Sequence, residues 1–325
     1  MPKNQQCSLA DMPENVMMQI LENSHFRSIL TLRKVSHDLR NFIDDKKPDM
    51  KLEIVKIRIG YSRVKMVLHD LSKSKPARIK YMGKEEICEE EIPQNRKFRK
   101  AVILKSEDFL DSFFKDFQII LNLQTTKILQ RFSLTVYKIP EELKKVLRTK
   151  PLKTQCFAIT TSDPYEILDV ISLIDSRNLK EICFYNIDDM PEEIWDFEEI
   201  VKLEQWKKPT ILEIVEFYVY LEVQNFFHFT QADFRILEIT VEDILELKKN
   251  YLQMPSFEFV HVEYKNLIGG IDQLGPSFLE TDNQKQKWFF KFLENPEFLL
   301  EISLSPKHLY FQKIPVSNVP DGALI

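Results

Sequence analysis

Four stretches of the chain share one apolar template, and the distance between them limits the fold more than any other feature. Leu129-Phe132-Leu134-Tyr137, Leu179-Ile182-Phe184-Ile187, Trp206-Pro209-Ile211-Ile214 and Met254-Phe257-Phe259-Val262 repeat the same spacing, and Leu152-Phe157 and Phe234-Leu237-Ile239 fit it in part. In a chain that is 44% apolar an isolated match means little, but the starts at 129, 152, 179, 206, 234 and 254 lie 23, 27, 27, 28 and 20 residues apart. Between them FKDFQIILNL, PEELKKVL, PYEILDVISLID and TVEDILELKKNYL carry apolar residues at helical spacing, the last opened by Thr240 with Asp243 three residues on, as in a capping box. Short apolar strands that alternate with amphipathic helices at this period stack side by side as strand–helix units.

The period lies within the roughly 20 to 29 residues of leucine-rich repeats, and LKTQCF at 152 recurs as LKEICF at 179. The pattern is degenerate, because the Asn that ends the strand turn is missing except at Asn186. In such an open α/β solenoid alternate strand positions face outward, which nominates Ser133, Thr135, Cys156, Ala158, Cys183, Tyr185, Glu238, Thr240, Glu258 and Val260 as a partner face. The alternative is that loops or helices cover this face and the same residues simply pack. After the breaks at Gly269-Gly270 and Gly275-Pro276, KQKWFFKFLEN at 285–295 reads as one more amphipathic helix and FLLEISL as a last strand.

Upstream, LEIVKIRI (52–59), RVKMVLH (63–69) and RIKYM (78–82) alternate apolar and charged residues, the pattern of a small antiparallel meander. Lys51 to Lys84 holds ten Lys or Arg against two acids, and Glu85 to Glu91 then holds five glutamates. This strip reads either as a nucleic-acid surface interleaved with Tyr61 and Tyr81 or as the polar face of a half-exposed sheet balanced by the acidic run.

Several chemistries are not indicated. Six glycines leave no GxGxxG or GxxxxGK[ST] loop, and GxSxG and HExxH are absent. Cys7, Cys88, Cys156 and Cys183 are far apart in sequence and no His stands at zinc-ligand spacing, so neither a disulfide framework, a metal nor a cofactor is expected. Pairs such as Asp188-Asp189 and Glu107-Asp108 read as surface or helix-start charges. A net charge of −5 argues against a surface built wholly for nucleic acid or anionic membrane. No apolar run approaches the ~18 residues of a membrane span, and the opening MPKNQQCSLAD is no signal peptide, so a soluble cytoplasmic or nuclear protein is expected.

Residues 12–43 carry apolar side chains on more sides than a short helical unit can hide. Pro13 opens a first helix with Val16, Met17, Ile20 and Leu21 on one stripe; Phe26, Ile29, Leu30 and Leu32 begin a second; Val35, Ser36, Leu39, Phe42 and Ile43 lead into a third. Three short helices fall below the size that usually folds unaided, so they need a neighbour. The segment resembles an F-box, without gaps from Met12 to Ile43: Met12-Pro13 stands where that family has Leu-Pro, and Val35-Ser36 matches its frequent Val-Ser pair. Ser24 in place of a usual Leu and Leu39 in place of a common Trp depart from the pattern. The downstream Phe-rich region, 105–300, is similar to the FTH-type domain that follows F-boxes in a nematode receptor family.

The resemblance implies an α+β multidomain protein: an F-box at 9–48, a linking β-meander at 49–104, and a leucine-rich-like domain at 105–315. It implies a non-catalytic, substrate-selecting subunit of an SCF-type ubiquitin ligase. Pro13, Val16, Ile20, Leu21, Ile29, Leu32 and Val35 would meet a Skp-type adaptor, which links to a cullin, while the later domain would hold a protein target. Membrane and nucleic acid are not expected as partners. A scaffold that recruits no ligase, and a nucleic-acid binder using residues 51–84, are the alternatives.

Overall fold

The computed structural model describes residues 12–70, 75–83, 102–105, 108–188, 192–280 and 285–325. Cys7, Cys88, Glu107, Asp189, the first residues of the 9–48 segment and the Glu85–Glu91 run lie outside the described residues. The chain divides into two compact units, one reaching Gln155 and taking back Leu173–Asn178, the other made of Cys156–Ser172 and Leu179–Ile325.

The first unit opens with α1 (Glu14–Glu22), α2 (Phe26–Val35) and α3 (His37–Lys46). Local chemistry sets their ends. Pro13 stands at the N-cap of α1, and its carbonyl receives the N–H groups of Val16 and Met17 at 3.0 Å. The hydroxyl of Ser24 donates to the Ile20 carbonyl at 2.6 Å where α1 stops, the His25 ring caps α2 by accepting from Arg27 N–H at 3.2 Å, and Ser36 caps α3 by accepting from Leu39 N–H at 3.2 Å. Four strands follow, β1 (Ile54–Ile59), β2 (Arg63–His69), β3 (Ala77–Met82) and β4 (Val102–Lys105), then α4 (Phe109–Leu123), β5 (Leu129–Val136) and α5 (Glu141–Thr149). Strands β1, β2 and β3 form the expected antiparallel meander. Its outer strands also pair in parallel, β3 with β4 and β1 with β5. Val55, Ile57, Val64, Met66 and Leu68 are buried at alternate positions, as a sheet with one covered face requires. Helix α4 packs on β2 and β3, where Phe113 meets Tyr81 edge-on at 5.5 Å and stacks on Phe117 at 5.8 Å.

The second unit takes in most of β6 (Thr154–Thr161), then α6 (Pro164–Ile171), β7 (Glu181–Asn186), β8 (Ile194–Asp196), the single turn α7 (Glu204–Lys207), β9 (Ile211–Val215), β10 (Tyr218–Tyr220), β11 (Gln231–Thr240), α8 (Val241–Leu252), β12 (Phe259–Ile268), β13 (Phe278–Glu280), β14 (Lys285–Lys291), β15 (Phe298–Ser305) and β16 (His308–Pro315). The sheet order within it is β13-β14-β15-β16-β12-β11-β9-β7-β6. From β6 to β12 the pairs are parallel; from β12 through β16, β15 and β14 to β13 they are antiparallel. Strands do form at each spaced template, and α4, α5, α6 and α8 form where helices are expected, α8 with its full Thr240–Asp243 capping box.

The fold is nonetheless a mixed sheet rather than a series of equivalent strand–helix repeats. Among the described residues of this unit only α6 and α8 are multi-turn crossovers; β7 reaches β9 through a strand and one helical turn, and β9 reaches β11 through β10 and a 3-10 turn. The segment 285–295 is not helical: Lys285–Lys291 pairs antiparallel with β13 and β15, and within that strand Trp288 and Phe289 are both buried. The last strand is β16, after the Phe298–Ser305 strand expected to end the domain.

Candidate functional site

The helices α1 to α3 divide their apolar residues into two sets. Met17, Leu21, Phe26, Ile29, Leu39 and Ile43 are sealed inside the first unit. Leu21 and Ile29 are fully buried, so these two expected adaptor contacts instead hold the helices to each other and to the unit beneath. Leu39, one of the two departures from the F-box pattern, is buried. Outward stand Met12, 39% exposed, Val16, 38%, and Val35, 65%, with Pro13 exposed and Ile20 and Leu32 half-buried. Met12, Val16 and Val35 are the large apolar side chains that α1, α2 and the turn before α1 leave exposed.

Polar links fix this face. Arg33 grips Asp44 through two parallel hydrogen bonds of 2.7 and 2.8 Å, joining α2 to α3, and Lys46 pairs with Glu14 at 2.6 Å, joining α3 to α1. Lys51 Nζ donates to the Glu22 carbonyl at 2.6 Å, His25 Nε2 lies 2.9 Å from Asp70 beside β2, and Arg27 donates to the Lys75 carbonyl. At the exit of α3, Pro48, Asp49 and Met50 are buried. Asp49 Oδ1 accepts from Lys51 and Thr125 N–H groups, both at 3.2 Å, and Oδ2 accepts from those of Thr126 at 3.3 Å and Lys127 at 3.1 Å, and from the Thr126 hydroxyl. Burial alone would raise the Asp49 carboxyl, but these donors outweigh it and hold it below its ordinary value.

On the meander, Arg58, Lys65 and Lys80 stand opposite one another across β1, β2 and β3. Burial, reinforced by Arg63, Lys80 and Arg58, pulls the Lys65 ammonium below its usual range. This row is the geometric basis of the anion-binding alternative.

In the second unit the two faces of the sheet differ. Tyr251 of α8 contacts Phe257 and Phe311, and Phe311 is in register with Val260, which pairs with Ala232, which pairs with Leu212. Val260 therefore lies on the helix-covered face and is fully buried, which removes it from the partner face. The error is one residue of frame: Phe259, His261 and Glu263 point the other way. On that opposite face Cys183, Glu213, Asp233, His261 and Tyr310 stand in one row across β7, β9, β11, β12 and β16.

The row is wired by polar contacts. His261 Nδ1 is 2.9 Å from Asp233 Oδ1, and its Nε2 is 3.1 Å from His308 Nδ1. Tyr310 stacks on His261 at 4.5 Å, Arg235 Nε pairs with Glu263 at 3.0 Å, and the Tyr218 hydroxyl donates to the same carboxylate at 3.1 Å. Burial, helped by the charge of His261, lowers the His308 pKa. A neutral His308 donates from Nδ1 to His261, which in turn donates to Asp233, so one consistent set of tautomers satisfies the chain. It ends in an imidazole where a hydrolytic triad needs a nucleophile.

The other nominated residues have distinct places. Ser133 and Thr135 on β5 are half-buried in the first unit. Cys156, Ala158 and Cys183 form a buried cluster with the Tyr185 ring packed against it, and the Tyr185 hydroxyl donates to Glu213. Thr240 gives its hydroxyl and N–H to Asp243. Glu238 is exposed and lines an open cleft of about 730 Å³ with Glu222 and Tyr220. Glu258 is exposed and accepts from Gln231. Sequence reasoning missed Asp233, His261, Glu263 and His308, although the alternation of His261, Val262, Glu263 and Tyr264 was the signal. Among the described residues no helix is long and apolar enough to cross a membrane.

Comparison with known proteins agrees with this geometry at both ends. The F-box domain family matches residues 9–51, and the FTH domain family matches residues 137–270. F-box A protein 224 of Caenorhabditis elegans is 23% identical over 318 residues, spanning 92% of this chain and 78% of that protein. No solved structure matches. The three short N-terminal helices and the two domain matches converge: the chain carries an F-box domain followed by an FTH domain.

Proposed function

We propose that the protein is the target-selecting, non-catalytic subunit of an SCF-type ubiquitin ligase, acting in the cytoplasm or nucleus. The observation that carries this reading is the outward apolar set, Pro13, Val16, Ile20, Leu32 and Val35, on helices whose interior is already filled by Leu21 and Ile29. A Skp-type adaptor, and through it a cullin, would cover that set. The polar face of the second unit, with Asp233, His261, Glu263 and Tyr310, is the surface offered to a protein target. Tethering a target beside a ubiquitin-loaded enzyme raises the effective concentration of its lysines without a catalytic side chain in this chain.

The test is Val16→Asp with Val35→Asp. Full burial of a valine is worth about 1.5 to 3 kcal/mol. Scaling by the exposed fractions of 38% and 65% gives roughly 1.5 to 3 kcal/mol for the pair, and desolvating two carboxylates adds to the loss. Adaptor affinity should fall at least about 100-fold, with unchanged circular dichroism because neither side chain is in the core. Undiminished adaptor binding by this folded variant would refute the assignment.

A further inference from the structure

Cys156, Glu181 and Cys183 place their ligand atoms within 4.8 Å of one another, with both thiols buried. The placement follows from the sheet. Cys156 pairs with Glu181 across the parallel β6–β7 ladder, Cys183 lies two residues further along β7, and all three side chains therefore leave the same face. From these three residues we infer a binding site for one zinc-class divalent cation.

The alternative pairing of two nearby thiols, a disulfide, conflicts with the register. Cys183 is opposite Ala158 and not Cys156; a two-residue offset between neighbouring strands separates the Cα atoms by about 8 Å, beyond the ~4.4 to 6.8 Å of disulfides. Metal coordination needs only the side-chain tips to converge. With zinc–sulfur bonds of ~2.3 Å and a zinc–oxygen bond of ~2.1 Å, a tetrahedral site needs sulfur–sulfur and sulfur–oxygen edges of about 3.8 and 3.6 Å. Cys183 Sγ is already 3.2 Å from Glu181 Oε1, so adjustments of a few tenths of an ångström to about 1 Å suffice, within the reach of small χ rotations.

The donor set also selects the cation. Two sulfurs and one carboxylate oxygen suit zinc better than the all-oxygen preferences of magnesium or calcium. Loading displaces the two thiol protons to solvent, and the cation offsets two of the three negative charges so gathered. Tyr185 packs against the cluster, and its hydroxyl donates to Glu213 on the neighbouring strand. Three protein ligands leave a fourth position for water or for a donor from a bound partner.

The full chain, stripped with chelator and kept under reductant, is titrated with Co²⁺ and then competed with Zn²⁺. The expected result is one equivalent bound, with a sulfur-to-cobalt charge-transfer band that Zn²⁺ abolishes. The band should vanish in Cys156→Ser with Cys183→Ser and persist in Cys7→Ser with Cys88→Ser. Glu181→Gln, which leaves both thiols in place, should weaken Co²⁺ affinity by roughly tenfold or more. No saturable band in the native chain, a band that survives loss of Cys156 and Cys183, or an unchanged affinity in Glu181→Gln would each overturn the site.

Discussion

Replacing Asp49 by alanine tests how the three N-terminal helices are held to the rest of the first unit. The carboxylate is 9% exposed and accepts four backbone N–H groups and one hydroxyl. Hydrogen bonds to a charged group are worth about 1.5 to 3 kcal/mol each when buried. Lys51, Thr125, Thr126 and Lys127 are themselves exposed, so water replaces part of what is lost, and a total of about 2 to 4 kcal/mol is expected. Asparagine should not rescue: its amide NH₂ would face either the donors that now meet Oδ1 or those that meet Oδ2. The pH dependence has a fixed sign. Because the folded carboxyl lies below its ordinary value, its contribution is complete above the unfolded-state pKa of about 4 and is lost as pH falls through the folded value. The assay is hydrogen exchange at the amides of residues 51 and 125–127. At pH 7 Asp49→Ala should exchange there about 30- to 1,000-fold faster than the native chain, and the difference should close toward pH 3 once intrinsic rates are corrected. Equal protection of these amides at pH 7 in the variant and the native chain would refute the reasoning.

Two further substitutions probe single atoms. The Tyr251 hydroxyl is buried against Phe257 and Phe311 with no hydrogen-bond partner, so Tyr251→Phe should raise stability by up to about 1 kcal/mol; a melting temperature lowered by several degrees would mean the hydroxyl has a partner after all. Lys47 ends α3 in the left-handed region, φ 49° and ψ 58°, which glycine adopts without the penalty of a Cβ. Lys47→Gly should therefore stabilise the first unit by roughly 0.5 to 1 kcal/mol in urea unfolding, and a clear loss would show that the lysine side chain contributes more than its backbone costs.

What the sequence discloses follows the range of the interaction. Pro13 and the Thr240–Asp243 pair act within a few residues, and each marks the helix start at which it stands in the structure. The period of two along β1, β2 and β3 is equally local. Trp288-Phe289 misleads because adjacent aromatics suit either a helix flank or a doubly buried strand, and only pairing with β15 decides between them. At Glu258 the alternation is correct and the frame is not: the strand begins at Phe259, and one residue of offset exchanges buried Val260 for His261. The Asp233–His261–His308 chain joins three strands, and the Asp49 knot spans 76 to 78 residues, so neither has a local signature.

The knot at Asp49 bears on the proposed role as well as on stability. A receptor that works by positioning loses its advantage if the adaptor-facing helices swing on a hinge, because effective concentration falls as the tether gains freedom. The residues just after α3 are where a hinge would sit, yet Pro48, Asp49 and Met50 are buried, and Met50 N–H donates to the Leu123 carbonyl at 3.0 Å. Lys51 reaches back to Glu22, and His25 reaches across to Asp70. These contacts run from α1 and from the α1–α2 turn to the sheet, while the outward valines make none of them. Stability and docking are thus assigned to different side chains of the same short helices: Leu21 and Ile29 hold the unit together, and Val16 and Val35 remain free to be covered without loosening it.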